Sequence, residues 1–257
     1  MSVNTKSSSG GQMTLIEHLA ELRTRLIRCV LAIAFGMIVI TAFYNPILDW
    51  LRAPYCDSLG ESVDSKDCTF QQIEPTEGLS VRFKVTGYGG IAIAMPIVLW
   101  QIWRFVSPGL YDKEKRYALP FVGTATTLFL LGAGIAYWTL PKALQFLGNI
   151  GGSNIDTNYR PGAYITLVTY MMLAFGAGFE FPILLVFLQM AGIVEPDTLA
   201  GVRRYAIVGI TVIVAVATPS GDPFSMLALS IPMVLFYELS IWVGRWFARR
   251  QGLREAT

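Results

Sequence analysis

Six long apolar runs decide what this chain can become. They are approximately Leu26–Tyr44, Val85–Val106, Tyr117–Leu140, Ala163–Ile193, Tyr205–Thr218 and Phe224–Val243. About 20 apolar residues cross roughly 30 Å of hydrocarbon as a helix, which satisfies its own backbone polar groups where no water can. With 53% hydrophobic and only 15% charged residues, a polytopic membrane protein is expected rather than a soluble domain. The expected fold is an all-α membrane protein of six transmembrane helices. Residues 1–12, with Ser7-Ser-Ser-Gly-Gly11, read as a flexible tail and 13–257 as a single domain. The first apolar run follows an acidic helix and lacks a small-residue cleavage site, so no cleaved signal peptide is expected.

An even number of spans puts both termini on one side. Lys6, Arg23, Arg25, Arg28, Arg104, Lys113, Lys115, Arg116, Arg203, Arg204, Arg245, Arg249, Arg250 and Arg254 share that side, fourteen of the twenty basic residues. The other side has Arg52, Lys66, Arg82, Lys84, Lys142 and Arg160. Lys and Arg concentrate on cytoplasmic loops, so both termini are expected in the cytoplasm.

The runs are unequal, and a short fifth and sixth span are expected. The fifth offers about fourteen residues before the breaker Thr218-Pro219-Ser-Gly-Asp222-Pro223, or about 21 Å at 1.5 Å per residue. A span that short thins the bilayer or recruits neighbours. Pro96, Pro120, Pro182 and Pro232 fall inside other runs and are expected to bend them, giving a curved, open bundle. The external connection 45–82 carries Asp49, Asp57, Glu61, Asp64, Asp67, Glu74 and Glu77 and reads as a solvated acidic loop. Cys56 and Cys68 lie within it, close in sequence and on the oxidising side, so a disulfide between them is expected.

Thr14 and Glu17 have capping-box spacing, so a helix is expected from Leu15. Leu15, Leu19, Leu22 and Leu26 form an apolar stripe, with Glu17, Glu21, Arg25 and Arg28 opposite. This amphipathic piece leads into the first span. Taken alone, Glu21 and Arg25 are an ordinary i, i+4 pair.

No phosphate-binding loop, no zinc-protease helix and no cysteine cluster at metal spacing is present in the sequence, so neither an enzyme, a cofactor nor a metal is expected. The single histidine, His18, reads as a solvated surface residue. Glu180, in Phe175-Gly-Ala-Gly-Phe-Glu180-Phe-Pro182, is the costliest ionisable group, because it lies mid-span. It either faces a wet cavity, partner or ion, or is a protonated acid hydrogen-bonded inside the bundle. Gly176 and Gly178 beside it admit a close backbone. Glu238 and Gln101 are weaker signals of the same kind. Asp222 precedes an apolar run at a proline turn and reads as a helix N-cap. Glu114 sits at the start of the third span, where an acid suits the helix dipole and also shares a membrane face with Glu21.

The leader Glu17-His18-Leu-Ala-Glu21-Leu22-Arg23-Thr-Arg25-Leu26 resembles the start of TatC, the multispanning subunit of the twin-arginine protein translocase. Further matches are Ala53-Pro54, Pro96-Ile-Val-Leu-Trp-Gln101-Ile-Trp-Arg-Phe105-Val-Ser-Pro108-Gly-Leu110-Tyr, Glu114-Lys-Arg116, Phe175 through Pro182, and Thr218-Pro219 through Asp222. The resemblance implies six helices in a cupped shape in the bacterial plasma membrane. It implies binding of twin-arginine signal peptides of folded cargo, driven by the proton-motive force. It also implies assembly into an oligomeric complex with single-span TatA- and TatB-type subunits; no nucleic-acid partner is implied. Carried over by residue, the signal site falls on Glu21 and Glu114 with Arg23 and Phe105 beside them. Pro54 and Asp222 fall on external positions needed for function, Glu180 on the acid of the concave face, and Thr218 and Met226 on the partner-helix groove. A Gln commonly stands in the family where Met226 aligns, and the Cys56–Cys68 segment is longer than in many relatives. The rival reading, a secondary transporter with Glu180 as its ion or proton site, ordinarily brings inverted repeats and paired broken helices. Neither is present in the sequence.

Overall fold

A computed structural model describes residues 15–60, 68, 70, 72–106, 118–150, 159–190 and 192–255. The 1–12 tail lies outside the described residues. Those described form eight helices: α1 (Leu15–Ala42), α2 (Tyr44–Leu59), α3 (Glu77–Val106), α4 (Ala118–Ile150), α5 (Pro161–Met190), α6 (Pro196–Gly201), α7 (Arg203–Ala217) and α8 (Pro223–Glu255). No strand occurs among them. Five helices are long and apolar enough to cross a membrane: His18–Ala42, Glu77–Phe105, Leu119–Ile150, Pro161–Met190 and Pro223–Arg249. The fifth apolar run becomes α7, whose 15 residues reach about 22 Å at 1.5 Å per residue.

Three expectations are corrected. The connection 45–82 is not loop throughout: α2 fills about its first two fifths, α3 already begins at Glu77, and Leu51, Pro54, Tyr55 and Cys56 are buried. The cause is aromatic. Tyr55 packs with Phe70, Tyr159 and Tyr164 at centroid distances of 5.5 to 6.0 Å, and Trp50 stacks on Tyr137 at 4.3 Å. The sixth span is not short, because α8 runs unbroken for 33 residues through Pro232. Its apolar stretch passes directly into a basic one of good helix formers. Pro120 lies in the first turn of α4, where a missing N–H leaves no helical bond unmade, so it interrupts nothing.

α1 begins at Leu15 and continues into the span without a break, so the amphipathic leader and the span are one helix. Leu19, Leu22 and Leu26 are exposed, turned away from the rest of the chain. α1 packs on α3, α4 on α5, α5 on α8 and α7 on α8. Without a hydrophobic drive between helices in lipid, close approach rests on small residues. A Cβ at Gly36 would lie 2.6 Å from the Gly90 carbonyl oxygen, and one at Gly132 2.6 Å from that of Phe175. Backbone contact at these two crossings fixes α1 against α3 and α4 against α5.

Candidate functional site

At the end of the bundle where α1 starts, α3 also finishes. The His18 and Phe105 rings stack there at 4.5 Å. Glu21 lies one turn further along α1, and its Oε1 accepts from Arg25 Nε at 3.0 Å and from Arg25 Nη2. The other carboxylate oxygen, Oε2, is buried without a hydrogen-bond partner among the described residues, and so is Arg25 Nη1. The helical i, i+4 spacing makes this pair automatic. It leaves a half-buried carboxylate with one acceptor oxygen free. Arg23 is exposed and Phe105 half-buried. Glu114 lies outside the described residues. The structure thus brings Glu21 and Phe105 to one end, with Arg23 on the outer surface of the same turn.

Glu180 is half-buried on α5, and its Oε1 has no hydrogen-bond partner among the described residues. Its small neighbours admit side chains rather than a backbone. Gly176 receives the Phe129 ring, and Gly178 faces Leu229 and Met233. The backbone approach occurs at Gly132 instead. Gln101 is buried with its Oε1 also lacking a partner. Glu238 differs from both, because Arg203 at the head of α7 pairs with it at 2.9 Å and both are about half exposed. It belongs to the end of the bundle rather than its middle.

The opposite end is organised by caps and rings. Asp222 is fully buried; its Oδ1 accepts the Ser225 backbone N–H at 2.7 Å and its Oδ2 accepts from the Ser220 hydroxyl. With Pro223 at the first helical position, this is the N-cap arrangement. Thr218 is buried, its hydroxyl donating to the Val214 carbonyl at 2.7 Å, and Met226 is half-buried against the core. Both flank the turn from α7 to α8. The Ser225 hydroxyl beside them is buried and lacks a partner among the described residues. Pro54 sits buried inside α2, two residues before Cys56, which is bonded to Cys68. Both cysteines are fully buried. Burial pushes the hydroxyls of Tyr55 and Tyr159 above the usual phenol range, so both stay protonated beside them.

Sequence reasoning missed two fastenings. Glu77 is almost fully buried and accepts the N–H groups of Ile73 at 3.1 Å and Gly162 at 3.2 Å, which ties the start of α5 to the start of α3. Lys84 donates to the Gly162 carbonyl at 3.1 Å, completing that tie. Gln189 donates to the Ser240 carbonyl at 3.1 Å, and Gly244 leaves it room. An acid in the first turn of α3 was the available signal for Glu77. Nothing local singles out Gln189.

These positions match known proteins across nearly the whole chain. The family model described as Sec-independent protein translocase protein (TatC) matches residues 17–232. The chain is similar to the Sec-independent protein translocase protein TatC of Frankia casuarinae, at 38% identity over 97% of this chain and 70% of that one. The TatC of Aquifex aeolicus is also 38% identical, over 93% of this chain and 98% of the relative. A crystal structure of the twin-arginine translocase receptor TatC superposes with a TM-score of 0.72 at 38% identity, covering 90% of this chain and 99% of that one. On a family match of this extent, the chain belongs to the TatC family of Sec-independent protein translocase proteins.

Proposed function

We propose that this chain is the signal-peptide receptor and core membrane subunit of a twin-arginine translocase, which exports folded proteins across the bacterial plasma membrane. The observation that carries the reading is the Glu21 carboxylate, half-buried beside the start of the first span, its Oε2 without a hydrogen-bond partner among the described residues. A guanidinium is a planar fork that meets a carboxylate through two parallel N–H bonds, which an ammonium cannot copy. Glu21 takes one arginine of the signal and Glu114 the other, with Arg23 and Phe105 bordering the site. The subunit binds and positions cargo rather than catalysing a reaction, and the proton-motive force supplies the energy.

In this reading the chain crosses the membrane six times in a cupped, open bundle, with α7 as the short fifth span and both termini cytoplasmic. The basic count, fourteen residues against six, supports that orientation. A 15-residue α7 falls short of the hydrocarbon, and a single-span partner of the TatA or TatB type beside it covers the mismatch. Thr218 and Met226 border that groove, Glu180 meets a polar group of a partner from the concave face, and Pro54 and Asp222 hold the external side in shape. The test is crosslinking of an Arg-Arg signal peptide, and of its Lys-Lys version, to wild-type, Glu21→Gln and Glu114→Gln chains in membranes. Each substitution is expected to weaken the Arg-Arg adduct at normal expression. Undiminished crosslinking and export in both variants would remove these acids from the site.

A further inference from the structure

At the basic end of the bundle, the first turns of α4 and the last turns of α5 and α8 do not close on one another. Between them lies a cleft of about 320 Å³, walled by Phe121, Leu128, Val186, Val243 and Phe247. Its two lining hydroxyls are already bonded within their own helices, Thr124 to the Pro120 carbonyl and Ser240 to that of Tyr237. The cleft therefore offers an occupant only apolar contact.

Its dimensions select the occupant. On α8 the lining runs from Phe236 to Phe247, about 16 Å at 1.5 Å per residue. That is about half of the roughly 30 Å hydrocarbon thickness, so the cleft belongs to one leaflet. A partner helix about 10 Å across would displace several times the cleft's volume over that length. A single acyl chain is the narrow apolar body that fits. The charge beyond the cleft selects the headgroup. The lining positions 236, 239, 240, 243 and 247 follow helical spacing, and the sequence of α8 beyond them carries Arg250 and Arg254. Arg249 is exposed beside them. Trp246 packs edge-on against Phe247 near the end of the apolar stretch of α8, and tryptophans favour the headgroup region of a membrane. Cations there attract anionic lipid.

We propose that this cleft holds one acyl chain of an anionic phospholipid from the leaflet at the basic end, with its headgroup on the arginine-bearing end of α8. The proposal requires only that the chain spans a membrane and is independent of the receptor reading. The full chain is reconstituted in vesicles of phosphatidylglycerol or phosphatidylcholine carrying a diazirine in one acyl chain, and adducts are mapped by peptide mass spectrometry. Adducts should concentrate around Val186 and Val243, about fivefold more from phosphatidylglycerol than from phosphatidylcholine. Val243→Trp, which fills the cleft, should remove them while leaving labelling at exposed Val212 on α7 unchanged. Val186→Phe makes the same test from the opposite wall should the first variant fail to fold. Adducts no denser in the cleft than at Val212, or unmoved by either filling variant, would overturn the proposal. So would equal labelling by the two lipids.

Discussion

The imidazole of His18 lies against the ring of Phe105, centroids 4.5 Å apart and planes inclined by 21°. The stack fastens the start of α1, which carries Glu21, to the end of α3, which leads toward Glu114. A ring pair of this kind contributes about 0.5–1.5 kcal/mol beyond its area. His18→Ala should therefore leave the fold intact, with a small loss of thermal stability in detergent, and weaken signal-peptide crosslinking. His18→Phe should restore both. Unchanged crosslinking in His18→Ala would show that the stack does not position the site.

Arg25 competes for Glu21. Its guanidinium holds Glu21 Oε1 within the same helix, so an incoming arginine must share or displace it. Helical i, i+4 pairs are worth about 0.3–0.5 kcal/mol when exposed, and this one is partly buried. Arg25→Gln should raise affinity for an Arg-Arg peptide by about twofold to fivefold. Glu21→Gln should lower it about tenfold or more, by the loss of a charge-assisted bond. Titration of a fluorescent signal peptide into the purified protein reads both. A fall in affinity for Arg25→Gln would mean that Arg25 orients Glu21 instead of competing for it.

At the α1–α3 crossing, Gly36→Val should cost about 1–3 kcal/mol by overpacking, because its Cβ would already stand 2.6 Å from the Gly90 oxygen. Gly134, whose Cβ would meet nothing within 4 Å, is the control, and Gly134→Ala should be neutral or stabilising. Thermal unfolding of the two variants side by side decides. Equal stability would mean that α1 shifts on α3 without penalty.

The Cys56–Cys68 bond closes a short loop, with a sequence separation of 12. In the chain-entropy model, a loop of this length gains about 3 kcal/mol from closure. Replacing both cysteines with serine should lower stability by about that amount and raise proteolysis of the 45–82 segment. Non-reduced peptide mass spectrometry of the wild type should find the two joined. Free thiols at both positions in native membranes would refute the bond.

Glu180 separates two roles. Glu180→Ala should weaken assembly with single-span partners, read by co-purification, while leaving signal-peptide crosslinking intact. Normal transport with Glu180→Leu would reduce the acid to an interior residue that needs no partner.

Several features are written in short stretches of sequence. Helical apolar runs long enough for lipid named α1, α3, α4, α5 and α8. The Asp222-Pro223 turn marked the cap of α8. These are settled by backbone geometry over three or four residues or by the thickness of a bilayer, so no tertiary information is required. The motifs that identify the family are equally local. Tertiary structure alone decided the rest. Tyr164 donates to the Leu51 carbonyl at 2.7 Å across 113 positions, and Glu77 accepts the Gly162 N–H across 85. Such bonds turned an acidic-looking connection into the docked helix α2 and made a first-turn acid into a clasp between α3 and α5. His18 met Phe105 because α1 and α3 run antiparallel and cross where Gly36 meets Gly90. The physical reason is that burial against water dictates which segments enter the membrane, whereas once inside it gives no preference among neighbours. Helix pairing then rests on the shape fit of small residues and on polar groups seeking partners, and neither has a sequence period to read.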